Sequence, residues 1–227
     1  NLSPRYQSLN ANVFCESYNV NNESGFYSGF VFRPRLGWQF SFYADYFKFP
    51  WLKYSVNAPS DGVEYNLSAL YTINKKTELG LVFRSKTKLQ NESSDENIQI
   101  KSLFPHQRND IRFQLILSLN DKLSLSNRLE ISNYKINNKV SSNGFLFYTD
   151  WKCNHIFKNL GSEFRLLFFD VSSYDSRIYA YENDLTQSFS IPNYSGTGFK
   201  YFLTLKLPVF KKRSEEHTSE LQSLAYL

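Results

Sequence analysis

The chain has 227 residues, with 26 Lys and Arg against 21 Asp and Glu, a hydrophobic fraction of 41% and an aromatic fraction of 18%. No apolar run approaches the roughly 20 residues that a membrane helix needs, and two cysteines, Cys15 and Cys153, without CxxC or histidine-paired spacing leave a structural zinc site short of ligands. The basic excess is spread without forming a run, which gives nucleic acid only faint support, whereas 21 Phe and 16 Tyr point to a sheet.

Period-two alternation then recurs along the chain, the mark of antiparallel strands with two unlike faces. Trp38, Phe40, Phe42 and Ala44 share one face of a strand predicted over Gly37–Phe49. Tyr65, Leu67, Ala69, Tyr71 and Ile73 do so over Glu64–Ile73, and Leu79, Leu81 and Phe83 repeat the pattern. In Arg108–Leu119, Ile111, Phe113, Leu115 and Leu117 oppose Arg112, Gln114 and Ser118; in Lys122–Asn133, Leu125, Leu129 and Ile131 oppose Ser126, Arg128 and Glu130. Gly144–Cys153, the stretch around Phe164, Leu166 and Phe168, and Phe199–Leu207 complete the alternating series. A further strand is expected from about Arg177, bulged near Asn183 and ending before Pro192, which cannot donate to a ladder.

Turn lengths carry a second signal. Short turns at Pro34–Gly37, Asn74–Lys76 and Asn120–Asp121 alternate with long polar connections at Lys53–Val63, Thr87–Gln107 and Tyr134–Asn143. A soluble sandwich has no reason to sort its loops this way, whereas a membrane barrel has short turns on one side and long loops on the other. Several strands reach about ten residues or more, longer than the usual soluble length of about five to six. A mean hydropathy of -0.45 is no obstacle, because a barrel with a wet lumen needs only every second residue apolar.

Aromatic residues gather at strand ends. In "FKFPWLKY" and "FLFYTDW", Phe49, Trp51, Tyr54 and Trp151 read as membrane-interface anchors, with Pro50 stopping the ladder. The opposing reading is a stacking surface for single-stranded nucleic acid or sugar beside Lys48 and Lys53. The histidines offer little catalysis. His106 lies at a strand entry and His155 in a short turn, and a lipid-acting barrel enzyme would need a serine, such as Ser102, bonded to one of them. The acidic pairs Asp95 with Glu96 and Glu182 with Asp184 lack a calcium-loop pattern and read as solvated charge, so no metal, cofactor or catalytic residue is assigned. In "YENDL", Glu182 and Asp184 are expected to point into the lumen beside Arg177 as a polar cluster.

The end of the chain follows a different rule. "RSEEHTSELQS" resembles one reading frame of a sequencing-adapter oligonucleotide, so residues 213–227 are expected to be a non-native tail and 1–212 the natural portion. Without that tail 25 basic and 18 acidic residues remain, a net charge of +7. The start, Asn1, is likewise expected to fall inside a longer protein.

The strings "DYFKFPWLKYSVNAPSDG" (Asp45–Gly62) and "DSRIYAYENDLTQSFSIPNYSGTGFKYFLTLKL" (Asp175–Leu207), with the hairpin "NDIRFQLILSLNDKLSLSNRLEI", carry a likeness to known proteins. They resemble the carboxy-terminal region of a bacterial outer-membrane protein family whose members carry helix-hairpin-helix repeats ahead of a β-barrel. The resemblance implies an all-β, antiparallel transmembrane barrel of outer-membrane type from a Gram-negative bacterium. It also implies that the barrel is truncated, with roughly ten strands visible, and that the DNA-contacting repeats and one or more closing strands are missing. The expected partner is outer-membrane lipid, with DNA reached only through absent domains and no small-molecule ligand identifiable. The expected function is a non-enzymatic channel or anchor associated with DNA binding or uptake. A lipid-acting barrel enzyme and a soluble β-rich binding module are the alternatives.

Overall fold

The computed structural model describes residues 3–8, 15–16, 20–74, 76–91, 102–154, 160–182 and 190–206, and the architecture is all-β. In chain order the strands are β1 (Gln7–Ser8), β2 (Val20–Asn21), β3 (Ser24–Phe32), β4 (Trp38–Phe49), β5 (Ser60–Asn74), β6 (Thr77–Asn91) and β7 (Leu103–Ser118). They continue with β8 (Leu123–Ile136), β9 (Lys139–Cys153), β10 (Gly161–Val171), β11 (Ile178–Tyr179), β12 (Asn193–Tyr194) and β13 (Gly196–Lys206).

Nine of these form one antiparallel sheet in the order β13-β10-β9-β8-β7-β6-β5-β4-β3, so each strand from β3 to β10 pairs with its neighbour in sequence. Short ribbons β1–β2 and β11–β12 stand apart. Among the described residues, the outer edges of β3 and β13 are unpaired.

The registers make the two faces explicit. Phe42 lies opposite Leu67, Leu67 opposite Phe83, Phe83 opposite Ile111 and Ile111 opposite Ile131, giving an apolar row across five strands. The next row belongs to the other face: Asn66, Arg84, Asp110 and Ser132. The apolar face is the open one, with Leu67, Leu81, Phe113 and Leu203 all exposed, while Glu64, Arg128, Glu130, Asp150 and Arg165 are buried on the polar face. Ordinary globular sheets have the reverse arrangement.

The apolar rows form a band. On β7 it runs from Ile111 to Leu117, roughly 20 Å along the strand at the usual rise per residue. Beyond it the outer face turns polar, and Ser85 bonds to Asn109 (2.7 Å) and Asn133 to Asn143 (2.6 Å). Strands of 14 to 16 residues therefore extend past the apolar band at one end.

Two expectations change. The long connection predicted over Tyr134–Asn143 is a two-residue turn, because Asn137 and Asn138 both adopt positive φ (48° and 64°), the geometry that continues strand twist through a tight hairpin. Loop lengths thus do not alternate strictly. The strand predicted from Arg177 is not in the sheet either. Residues 172–182 leave β10 through a 3-10 turn (Tyr174–Ser176) and enter β11, which pairs with β12 on the polar face, and residues 190–195 lead into β13. Ile178, Ala180 and Tyr194 pack there against Leu146, Leu167 and Val171, an apolar patch set into the otherwise charged face. The polar stretch that includes Pro192 is poorly suited to a wall strand.

Candidate functional site

The polar face carries a series of paired charges. On β5, Glu64 accepts from the Tyr43 hydroxyl (2.6 Å) and from Arg84 Nε and Nη2 (2.7 and 2.9 Å), with Lys86 Nζ at 3.0 Å. Lys86 also meets the Glu16 carboxylate at 2.6 Å. Farther along, Glu130 takes Arg112 Nε at 2.8 Å and the Arg128 guanidinium, and Asp150 takes Arg165 through both oxygens. Arg108 bonds to Asp110 at 2.9 Å. Such pairs follow from strand geometry: same-face residues meet at short separation, across neighbouring strands as in Arg84 with Glu64, or two apart on one strand as in Arg108 with Asp110 and Arg128 with Glu130. Buried charges persist only when paired.

The strap of residues 172–182 is held by three of these arginines. Arg108 Nη2 donates to the Arg177 carbonyl (2.7 Å), Arg128 Nη2 to the Tyr179 carbonyl (2.9 Å) and Arg165 Nη1 to the Tyr181 carbonyl. Alternate carbonyls thus point to cations while Ile178 and Ala180, between them, enter the apolar patch. Gly144 permits the approach: a Cβ there would lie 2.5 Å from the Ser176 carbonyl oxygen.

Between the strap and strands β4–β8 lies a cavity of about 610 Å³. Arg84, Lys86, Lys88, Arg108, Arg112 and Arg177 line it, against Asp110, Glu130 and Asp175. Glu64 and Glu16 balance Arg84 and Lys86, and Asp110 and Glu130 balance Arg108 and Arg112. Among the described residues, Lys88 and Arg177 against Asp175 then leave a small positive excess, which favours small anions over cations.

The expected site residues fare differently. Phe49 is 2% exposed and faces inward beside Phe47, so it is not an outer anchor. Its parity on β4 is that of Tyr43, opposite to Trp38, and Gly62 opposite Phe47 leaves room for the Phe47 ring. Trp51, Tyr54 and Trp151 are exposed, and the Arg5 guanidinium lies 4.4 Å from the Trp51 ring. Arg177 and Glu182 are not partnered with each other. Arg177 donates to the Tyr179 hydroxyl (2.7 Å) and the Tyr174 carbonyl (2.8 Å), while Glu182 accepts from Tyr194 (2.5 Å) and Lys200 (3.1 Å). Asp184, Asn183, Asp95, Glu96 and His155 lie outside the described residues, as do residues 213–227. His106 faces inward and meets the Tyr134 hydroxyl at 2.5 Å, not a serine. Cys15 and Cys153 are partly buried and no disulfide joins them.

Lys53, in the loop between β4 and β5, places its ammonium 3.4 Å from the Phe49 ring centroid. Burial first, then the Lys88 charge, lowers its pKa from 10.5 to about 8, outweighing the attraction of the ring for the cation. The unfolded chain keeps this proton up to 10.5 and the folded chain releases it near 8. Stability from this group therefore grows as pH rises from about 8 to 10.5. Unfolding midpoints measured across that window should rise less steeply for Lys53→Gln than for the parent; parallel profiles would refute the assignment.

Sequence reading missed the inner arginines as a set. Arg84, Arg108, Arg112, Arg128 and Arg165 all have the inward parity of their strands, which the alternation alone reveals once one face is fixed. No family model, no curated protein and no solved structure matches the chain.

Proposed function

We propose that the chain forms the wall of an outer-membrane β-barrel and acts as a non-enzymatic channel or anchor. One observation carries this reading: the sheet presents its apolar rows outward and its charge inward, the arrangement of a membrane barrel wall. The meander of neighbouring hairpins supports it, because that connectivity can close on itself without crossing chains. Closure brings the β3 and β13 edges together. Trp38, Tyr71 and Trp151, toward the short-turn end of the outer face, fit an interface girdle. His106 bound to Tyr134 favours a non-catalytic role over lipid hydrolysis. The link to DNA rests on the family resemblance alone.

The test exploits face parity. Phe113 points outward and Gln114, its neighbour, inward. Phe113→Arg should cost about 2–4 kcal/mol of stability in lipid vesicles, whereas Gln114→Arg should cost far less. A chain that is monomeric and folded in water without detergent, and indifferent to Phe113→Arg, is a soluble module instead.

A further inference from the structure

At the end of the cavity beyond the apolar band, cations outnumber carboxylates among the described residues. Lys88 on β6 lies directly opposite His106 on β7, and Lys86 directly opposite Arg108. Like charges facing each other across a ladder destabilise it. Lys86 is relieved by Glu16 and Glu64, and Arg108 by Asp110. Among the described residues, Lys88 and Arg177 have no carboxylate within salt-bridge distance. Asp175 lines the same cavity and supplies one negative charge against those two cations.

A buried, unsatisfied donor points to the same place. His106 is only 8% exposed, and its Nε2 has no hydrogen-bond partner. When the Tyr134 hydroxyl donates to Nδ1, the proton of the neutral ring sits on Nε2, and His106 lines the cavity. Leaving such a group dry and unpaired is costly, and an acceptor in the cavity removes the cost. A cation at this point would meet Lys88 and Arg177; an oxyanion would meet two ammonium or guanidinium groups and one N–H.

We infer that the cavity holds a small oxyanion of the phosphate class, bound by the Lys88 ammonium, the Arg177 guanidinium and the His106 Nε2–H. Arg177 keeps N–H groups for this, since its bonds to Tyr179 and Tyr174 engage Nε and Nη1, and the residue lines the cavity. The outer face at this level is polar, formed by Gln107 and Asn109, so the site sits in the wet vestibule of the wall. A free ion reaches it from the interior; a lipid headgroup would have to bring its acyl chains in with it. The inference stands on the inner face and not on how the outer face is embedded.

The test uses the full chain refolded in detergent and inorganic phosphate as the probe, with binding followed by equilibrium dialysis and stability by the unfolding midpoint against chloride at matched ionic strength. The parent should bind phosphate at about 10 mM or below and gain stability from it. Lys88→Gln should weaken binding by about tenfold or more, yet unfold at a higher temperature than the parent in phosphate-free buffer, because an unmatched cation is gone. His106→Phe should also weaken binding, and Lys48→Gln, on the exposed outer side of β4, should bind like the parent. A short-chain phosphatidic acid competing as well as inorganic phosphate would make the headgroup the ligand. Parent protein that takes up no phosphate, or Lys88→Gln that binds it equally well, overturns the site. Binding that fails while Phe113→Arg still blocks insertion into vesicles would sink the anion site and leave the wall standing.

Discussion

Replacing Arg165 with Met should lower the unfolding free energy by about 3–5 kcal/mol, the cost of stranding a buried charge. Arg165 and Asp150 side chains are 2% and 6% exposed, and the guanidinium spans both carboxylate oxygens, one at 2.6 Å. It also lies 4.1 Å from the Tyr148 ring centroid and donates to the Tyr181 carbonyl. Met fills the volume but leaves Asp150 without its counter-charge. The double variant Arg165→Met with Asp150→Leu removes both charges and should recover most of the loss, since an apolar pair replaces a buried ion pair nearly without penalty. Urea unfolding in detergent, read through tryptophan fluorescence, gives both values. A neutral single variant would mean that the pair is hydrated.

The second large effect is expected at the strap. Ile178 is fully buried against Leu146, Leu167, Val171 and Tyr194, so Ile178→Ala should cost about 2–5 kcal/mol through lost transfer and cavity terms. Only the strap end of this cluster is changed, so the loss should appear as strap release before wall unfolding. Limited proteolysis should then cut within residues 172–182 while the wall strands stay protected. Cleavage spread evenly over the chain would show that strap and wall open together. Gly144→Val probes the same contact from the other side, since its side chain would collide with the Ser176 carbonyl.

Much of this arrangement was legible in the alternation. The faces of β4, β5, β7, β8 and β13 follow directly from runs such as Phe113, Leu115 and Leu117 against Arg112 and Gln114. Phe49 was misplaced because hydrophobicity outweighed parity: counting from Trp38 puts it on the inward file with Tyr43. The Asn137–Asn138 turn was hidden by polar residues that mark loops and tight turns alike, and only their positive φ values distinguish the two. The strap was illegible for a deeper reason. Its short apolar positions, Ile178 and Ala180, look like a strand of the wall, and its true seat depends on Leu146 and Leu167. In "GFLFYTDW" and "FRLLFF" those inward apolar residues fill what would otherwise be a polar file, a sign that something rests on the inner face. The charged cavity required knowledge of register, because Lys88 and His106 are neighbours only across a ladder.

The carbonyls of Arg177, Tyr179 and Tyr181 are spaced along one extended segment, and their arginines come from β7, β8 and β10. The segment therefore acts as a gauge laid across the wall. Sliding any one of those strands by a residue turns its arginine to the opposite face and breaks that strand's tie to the gauge. In a closing cylinder, the stagger between strands sets both tilt and bore. Here that stagger is pinned from one face of the sheet, by a stretch of chain that contributes no strand to it.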